Sequence, residues 1–138
     1  MIIHGKLKKQ YRQALEYYAS VLFTPQMKKH IEVRISFRKL TNDYHGNVFV
    51  DDYNVLGMPR SFIIEVNKND TNKEILKTLA HEMIHVKQYA RSELNEEMSV
   101  WRGRKVNSDA IPYDEQPWEQ EAKQREQELC ESFLASQT

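Results

Sequence analysis

The sequence predicts an α+β domain: an N-terminal helix, a small three-stranded, mostly antiparallel sheet, a helix carrying two histidines, and a C-terminal helix. Three observations lead there. Apolar residues recur at helical spacing in three separate stretches. Between the first and second of these lie three short runs rich in Val, Ile and Phe, separated by turn-forming residues. Strands joined by short turns favour antiparallel neighbours, with helices packed against the sheet they form.

Length and composition narrow the class. At 138 residues the chain suits one domain with a sizeable core. Lys plus Arg and Asp plus Glu each total 20, so the formal net charge is zero. That balance lends no electrostatic support to nucleic acid or an anionic membrane as a partner. Lys6, Lys8, Lys9 and Arg12 read as the solvated face of a helix. Cys130 is the single cysteine, which excludes an internal disulfide and a Cys-rich zinc ribbon. Residues 1–6 lack the apolar core of a signal peptide, and no apolar run approaches the roughly 18–20 residues of a membrane span. A soluble cytoplasmic monomer is expected.

Leu7, Tyr11, Ala14, Leu15, Tyr18 and Leu22 place an amphipathic helix over 6–23. Thr24-Pro25 ends it, because the residue before proline is pushed out of helical geometry. Ile31-Glu32-Val33-Arg34-Ile35-Ser36-Phe37 alternates as a half-buried strand does. Turn chemistry over 41–47 leads into Val48-Phe49-Val50, which is expected to pair with that strand. After Gly57-Met58-Pro59, residues 60–66 read as the third strand. His4, His30 and His45 fall outside any metal-ligand spacing. Residues 91–97 either extend the histidine helix or cap it. Residues 100–106 form a short extended piece broken at Gly103. Pro117 suits a first helical position, and Trp118, Ala122, Leu129, Cys130 and Phe133 share one face of the last helix.

The chemistry concentrates in Leu79-Ala80-His81-Glu82-Met83-Ile84-His85-Val86-Lys87-Gln88-Tyr89. Thr71-Asn72-Lys73-Glu74 is a capping box that starts a helix just upstream. Ile75, Leu79, Met83, Val86 and Ala90 form its apolar stripe. His81 and His85 project from another face, beside Thr78 and Tyr89. Imidazoles four residues apart on a helix stack one turn apart and can grip one zinc ion at about 2.0–2.1 Å. Glu82 lies roughly 100° round the helix, which suits a base acting on water that the metal activates.

A catalytic zinc site usually takes three protein ligands and leaves one position open. No histidine follows His85, which removes the metzincin pattern and the SprT/Spartan pattern. Carboxylates remain, led by Glu119 and Glu121. At about 100° per residue, Glu119 falls inside the apolar stripe of the last helix and Glu121 roughly opposite, towards water. A core-facing carboxylate needs a partner, and zinc is one. Glu126, two turns beyond Glu119, could order a ligand histidine from behind. Asp109 and Asp114 are weaker ligand candidates, in the manner of an aspzincin site.

HExxH followed by Glu119-x-x-Ala122 on a later helix resembles the gluzincin class of zinc metallopeptidases. The longer pattern is similar to small single-domain metallopeptidases often encoded by bacteriophages, with SprT-like enzymes more distant. It runs from His81 through Tyr89, then Trp101-x-Gly103, Tyr113, Pro117-Trp118-Glu119-x-Glu121-Ala122 and Arg125-Glu126, and covers about residues 75–130. The resemblance implies a minimal zincin-like architecture, Zn2+ as cofactor, and His81, His85 and Glu119 as ligands. It also implies Glu82 as general base, with the host cytoplasm as the setting for a phage-encoded protein.

The expected activity is therefore hydrolysis of a peptide bond in a peptide or protein substrate. Glu82 takes a proton from the activated water and passes it to the leaving amine. Tyr113 is the first choice for stabilising the oxyanion and Tyr89 the second. An edge strand, either 60–66 or 47–52, could hold an extended peptide by strand addition. The rival reading is a non-catalytic interaction protein whose closed metal site only stabilises the fold. A protease acting on nucleic-acid-bound protein is a weaker third, given the neutral charge.

Overall fold

The computed structural model describes residues 1–41 and 44–137; the turn read over 41–47 includes Asn42 and Asp43, which lie outside them. In chain order the elements are β1 (Ile2–His4), α1 (Lys9–Leu22), the single turn α2 (Pro25–Lys28), β2 (Glu32–Arg38), β3 (Gly46–Tyr53) and β4 (Pro59–Asn67). Then come α3 (Asn72–Ala90), β5 (Val100–Trp101), β6 (Arg104–Lys105), two 3-10 turns (Ser108–Ala110 and Tyr113–Glu115) and α4 (Pro117–Ser136).

The fold is mixed α/β, as its sequence suggests, but the sheet differs from the expected one. Its four strands run in the order β1-β2-β4-β3. β1 pairs parallel with β2, and β2 parallel with β4. Only β3 and β4 are antiparallel neighbours, joined by a hairpin. Thus β3 does not pair with β2, as adjacency in the chain suggests; it passes to the far side of β4. β1 has only three residues, too few to show an alternating pattern, and it reaches β2 through α1, the long connection that parallel pairing requires. A second, two-stranded sheet is the β5-β6 hairpin.

Alternation then decides which face carries the core. Val33 and Ile35 of β2 and Phe62, Ile64 and Val66 of β4 are buried, while Arg34 and Ser36 point the other way and are less covered. The helices pack on the buried face. Tyr11, Ala14, Leu15, Tyr18 and Leu22 of α1 all reach the core. Thr24, which ends that helix region, caps α2 by accepting a hydrogen bond from the Met27 amide at 3.2 Å.

α3 lies at the centre, against β3, β4, α1 and α4. Its start is as expected: the Thr71 hydroxyl accepts from the Glu74 amide at 3.2 Å. It is not simply amphipathic, however. Fourteen of its 19 residues are buried, because the sheet covers one side and two helices cover others. Polar residues of α3, among them Glu82, His85, Lys87 and Gln88, are therefore held inside the protein. α3 stops at Ala90; residues 91–97 do not extend it. Ser92 adopts φ +59° and the Glu93 amide bonds the Gln88 carbonyl at 2.8 Å, closing the helix end. The piece broken at Gly103 is the β5-β6 hairpin, with Arg102 and Gly103 at φ +48° and +83° in its two-residue turn.

No described helix is long and apolar enough to cross a membrane.

Candidate metal centre

α3 and α4 pack side by side, and their facing polar residues converge on one point. His81 and His85 come from successive turns of α3. Glu119 comes from the first turn of α4, where Pro117 occupies an N-terminal position. Glu119 is 4 % exposed, beside fully buried Trp118 and Ala122, so the helical wheel placed it correctly. Its Oε1 is 3.1 Å from His81 Nε2 and its Oε2 is 3.0 Å from His85 Nε2. The two Nε2 atoms are 3.2 Å apart. Among the described residues, His81, His85 and Glu119 form a group that could hold a metal ion.

The donor chemistry fits that use. In a tetrahedral site with bonds of about 2.0–2.1 Å, neighbouring ligand atoms are about 3.3 Å apart. The Nε2–Nε2 separation of 3.2 Å is close to that, and the two Nε2 atoms meet opposite oxygens of the one Glu119 carboxylate at 3.1 and 3.0 Å. His81 Nδ1 faces Glu126 Oε2 at 2.9 Å, and His85 Nδ1 faces Gln88 Oε1 at 2.7 Å. Each of these partners accepts a ring proton, which leaves both Nε2 lone pairs directed at one another and at a carboxylate. Two Nε2 atoms and a carboxylate so placed favour a cation between them. A proton can serve, and the titration behaviour reflects it. Burial opposes charge on His81, but its bonds to Glu119 and Glu126 outweigh burial and push its pKa up to about 10. His85 is raised in the same way, against burial, by its bond to Glu119. Glu119, which burial alone would raise, is held well below the carboxylate range by the two histidines and Tyr113.

Glu82 is 4 % exposed and has no hydrogen bond or ion pair among the described residues. Burial pushes its carboxyl up towards the protonated form, partly offset by the two histidines. It lines a cavity of about 490 Å³ together with His81, Thr78, Gly46 and Tyr113. Tyr113 stands in the 3-10 turn just before α4, and its hydroxyl donates to Glu119 Oε1 at 2.8 Å. Tyr113 is thus at the site, bonded to the carboxylate of a candidate ligand. Tyr89 is instead a packed aromatic, 5 % exposed and stacked on Phe62 with ring centroids 6.4 Å apart. Burial pushes its hydroxyl up to about 12.

Other candidates lie elsewhere. Asp109 is exposed in a 3-10 turn. Asp114 is exposed and paired with Lys123. Neither joins the histidines. Glu121 does not face water as the wheel suggested: it is drawn in against Lys87, Gln88 and Arg102. Of the two candidate edge strands, 60–66 is internal, since β4 lies between β2 and β3, and 47–52 in β3 is the edge. The sequence reading missed Gln88. Its spacing was a usable signal, because a residue three beyond His85 lies beside it on the helix.

Comparison of the chain with protein-family models, with curated proteins and with solved structures returns no match.

Proposed function

We propose that this chain is a zinc-dependent metallopeptidase that hydrolyses peptide bonds, with His81, His85 and Glu119 as metal ligands and Glu82 as general base. The observation that carries the reading is Glu82: a carboxylate on a 4 % exposed residue with no hydrogen bond or ion pair among the described residues, beside His81 and on the wall of a cavity. A metal site that only stabilises a fold has no use for such a group or for such a space.

Bound zinc supplies Lewis acidity, which polarises a carbonyl and makes water nucleophilic near neutral pH. The side chains do the rest. Glu82, whose carboxyl burial pushes up so that its ionised form is a stronger base, can accept a proton on a carboxylate oxygen and return it to the departing amine. Tyr113 can turn its hydroxyl from Glu119 to a developing oxyanion at the same cavity. The free edge of β3 supports an extended peptide as the substrate, because its Gly46 end reaches the cavity wall.

The test is Glu82→Gln, with a mixed peptide pool read by mass spectrometry. Zinc content should stay at the wild-type level while cleavage falls by a factor of at least about 100. Undiminished cleavage by a zinc-loaded Glu82→Gln protein would refute this mechanism.

A further inference from the structure

We propose that Gln88 and Glu121 are positioning residues: together they fix the tautomer of His85 and so set how tightly the centre holds metal. This rests on the metal-centre reading above and adds to it the part of the protein behind the second histidine.

Gln88 is 0 % exposed and lies three residues beyond His85 on α3. Its Nε2 donates to the Trp118 carbonyl at 3.0 Å and to Glu121 Oε1 at 2.8 Å. Both are acceptors only, so that end of the amide must be the NH2 end. The end turned to His85 is then Oε1, 2.7 Å from Nδ1. An acceptor there demands a proton on Nδ1. The Nε2 lone pair is left to face Glu119 and His81. With the amide reversed, the NH2 group would meet Nδ1 and favour the tautomer protonated on Nε2, which cannot ligate through that atom.

Glu121 holds the amide in this sense, and is itself held. Lys87 Nζ lies 3.0 Å from both of its oxygens, and Arg102 donates to Oε2 at 2.9 Å. Lys87 is 4 % exposed and also pairs with Glu93 at 3.0 Å. A buried cluster of charges is a poor way to gain stability, since apolar residues of similar volume often serve as well. Its placement directly behind Gln88 supplies a different reason for it. Arg102 reaches in from the β5-β6 turn, with its guanidinium 4.6 Å above the Trp101 ring. The hairpin is thereby tied to His85 through Arg102, Glu121 and Gln88.

The two histidines are oriented by different chemistry. His81 leans on the carboxylate of Glu126, whereas His85 leans on a neutral amide. Glu82, Glu119 and Glu126 already bring three carboxylates to the centre. An amide orients His85 without adding a fourth charge against the ring.

The experiment uses the full chain as wild type, Gln88→Met and Glu121→Gln. Zinc affinity is measured by competition with a chelator, and the His85 ring by long-range proton–nitrogen NMR of the metal-free protein across a pH series that reaches the neutral ring. Gln88→Met, similar in shape but without donor or acceptor, should bind zinc about 10–100-fold more weakly. It should also lose the hydrogen-bonded Nδ1–H signal and populate the Nε2–H tautomer. Glu121→Gln should show a smaller loss in the same direction, and it serves alone should Gln88→Met fail to fold. Wild-type affinity and an unchanged Nδ1–H signal in the folded variants would overturn the proposal. Wild-type protein that takes up no zinc would defeat the metal-centre reading instead. The NMR comparison then decides the positioning claim: loss of Nδ1–H upholds it, and persistence overturns it.

Discussion

The Nε2 atoms of His81 and His85 face each other across 3.2 Å, and each lies within 3.1 Å of a different Glu119 oxygen. That arrangement could hold a cation. Zinc in excess should therefore stabilise the folded chain, by about 2.7 kcal/mol when its concentration is 100 times the Kd. Thermal unfolding with zinc and with a chelator would measure this. Glu119→Ala should remove the difference, and an equal zinc effect in that variant would place the metal elsewhere.

The pH dependence has a definite sign. In the metal-free protein the His81 pKa is raised from 6.5 to about 10, so its contribution is complete below pH 6.5 and is lost as pH rises through 10. The depressed Glu119 acts in the other direction: its contribution is present above 4.5 and is lost as pH falls below that. Metal requires the neutral imidazole, so it competes with the proton that His81 holds. The zinc-induced rise in Tm should grow between about pH 6 and about pH 9. A constant or shrinking rise would contradict the assignment of His81 as ligand.

Tyr113→Phe removes the hydroxyl that bonds Glu119 but keeps the ring. If that hydroxyl serves the oxyanion, kcat should fall about 100–1000-fold with little change in KM or zinc content. A loss of zinc affinity alone would instead assign Tyr113 to holding Glu119.

Gly46 sits where the edge strand β3 meets α3. A Cβ there would lie 2.6 Å from the Glu65 carbonyl oxygen and 2.7 Å from Thr78 Cγ2. The carbonyl belongs to the β3-β4 ladder and cannot yield without disturbing it. Gly46→Ala should cost about 1–3 kcal/mol and reduce peptide cleavage by pushing β3 away from α3. Denaturant unfolding and the peptide assay test the two effects separately, and a neutral result in both would sink the idea.

What could be read in advance divides along physical lines. His81, Glu82 and His85 were legible because helical spacing is local, and Glu119 because a carboxylate inside an apolar stripe is conspicuous. Glu121 was misread for the complementary reason. A helical wheel knows one helix, and Lys87 and Arg102, which draw Glu121 inward, come from other segments. Gln88 was passed over because a polar residue on a helix reads as solvated, and α3 has little solvent around it. In the sheet, the strand at 48–50 and the turn after it were legible, but its partner was read as β2 and is β4. The parallel register of β2 with β4 depends on where β3 is carried in space, and no short-range pattern encodes that.

The most direct measurement is zinc per chain in purified protein supplied with metal at neutral pH, for wild type, Glu119→Ala and Glu121→Ala. The expected result is near one zinc in wild type, almost none in Glu119→Ala, and a weakened but detectable site in Glu121→Ala. Wild-type protein without zinc, or Glu119→Ala with a full complement, would contradict the metal centre described here.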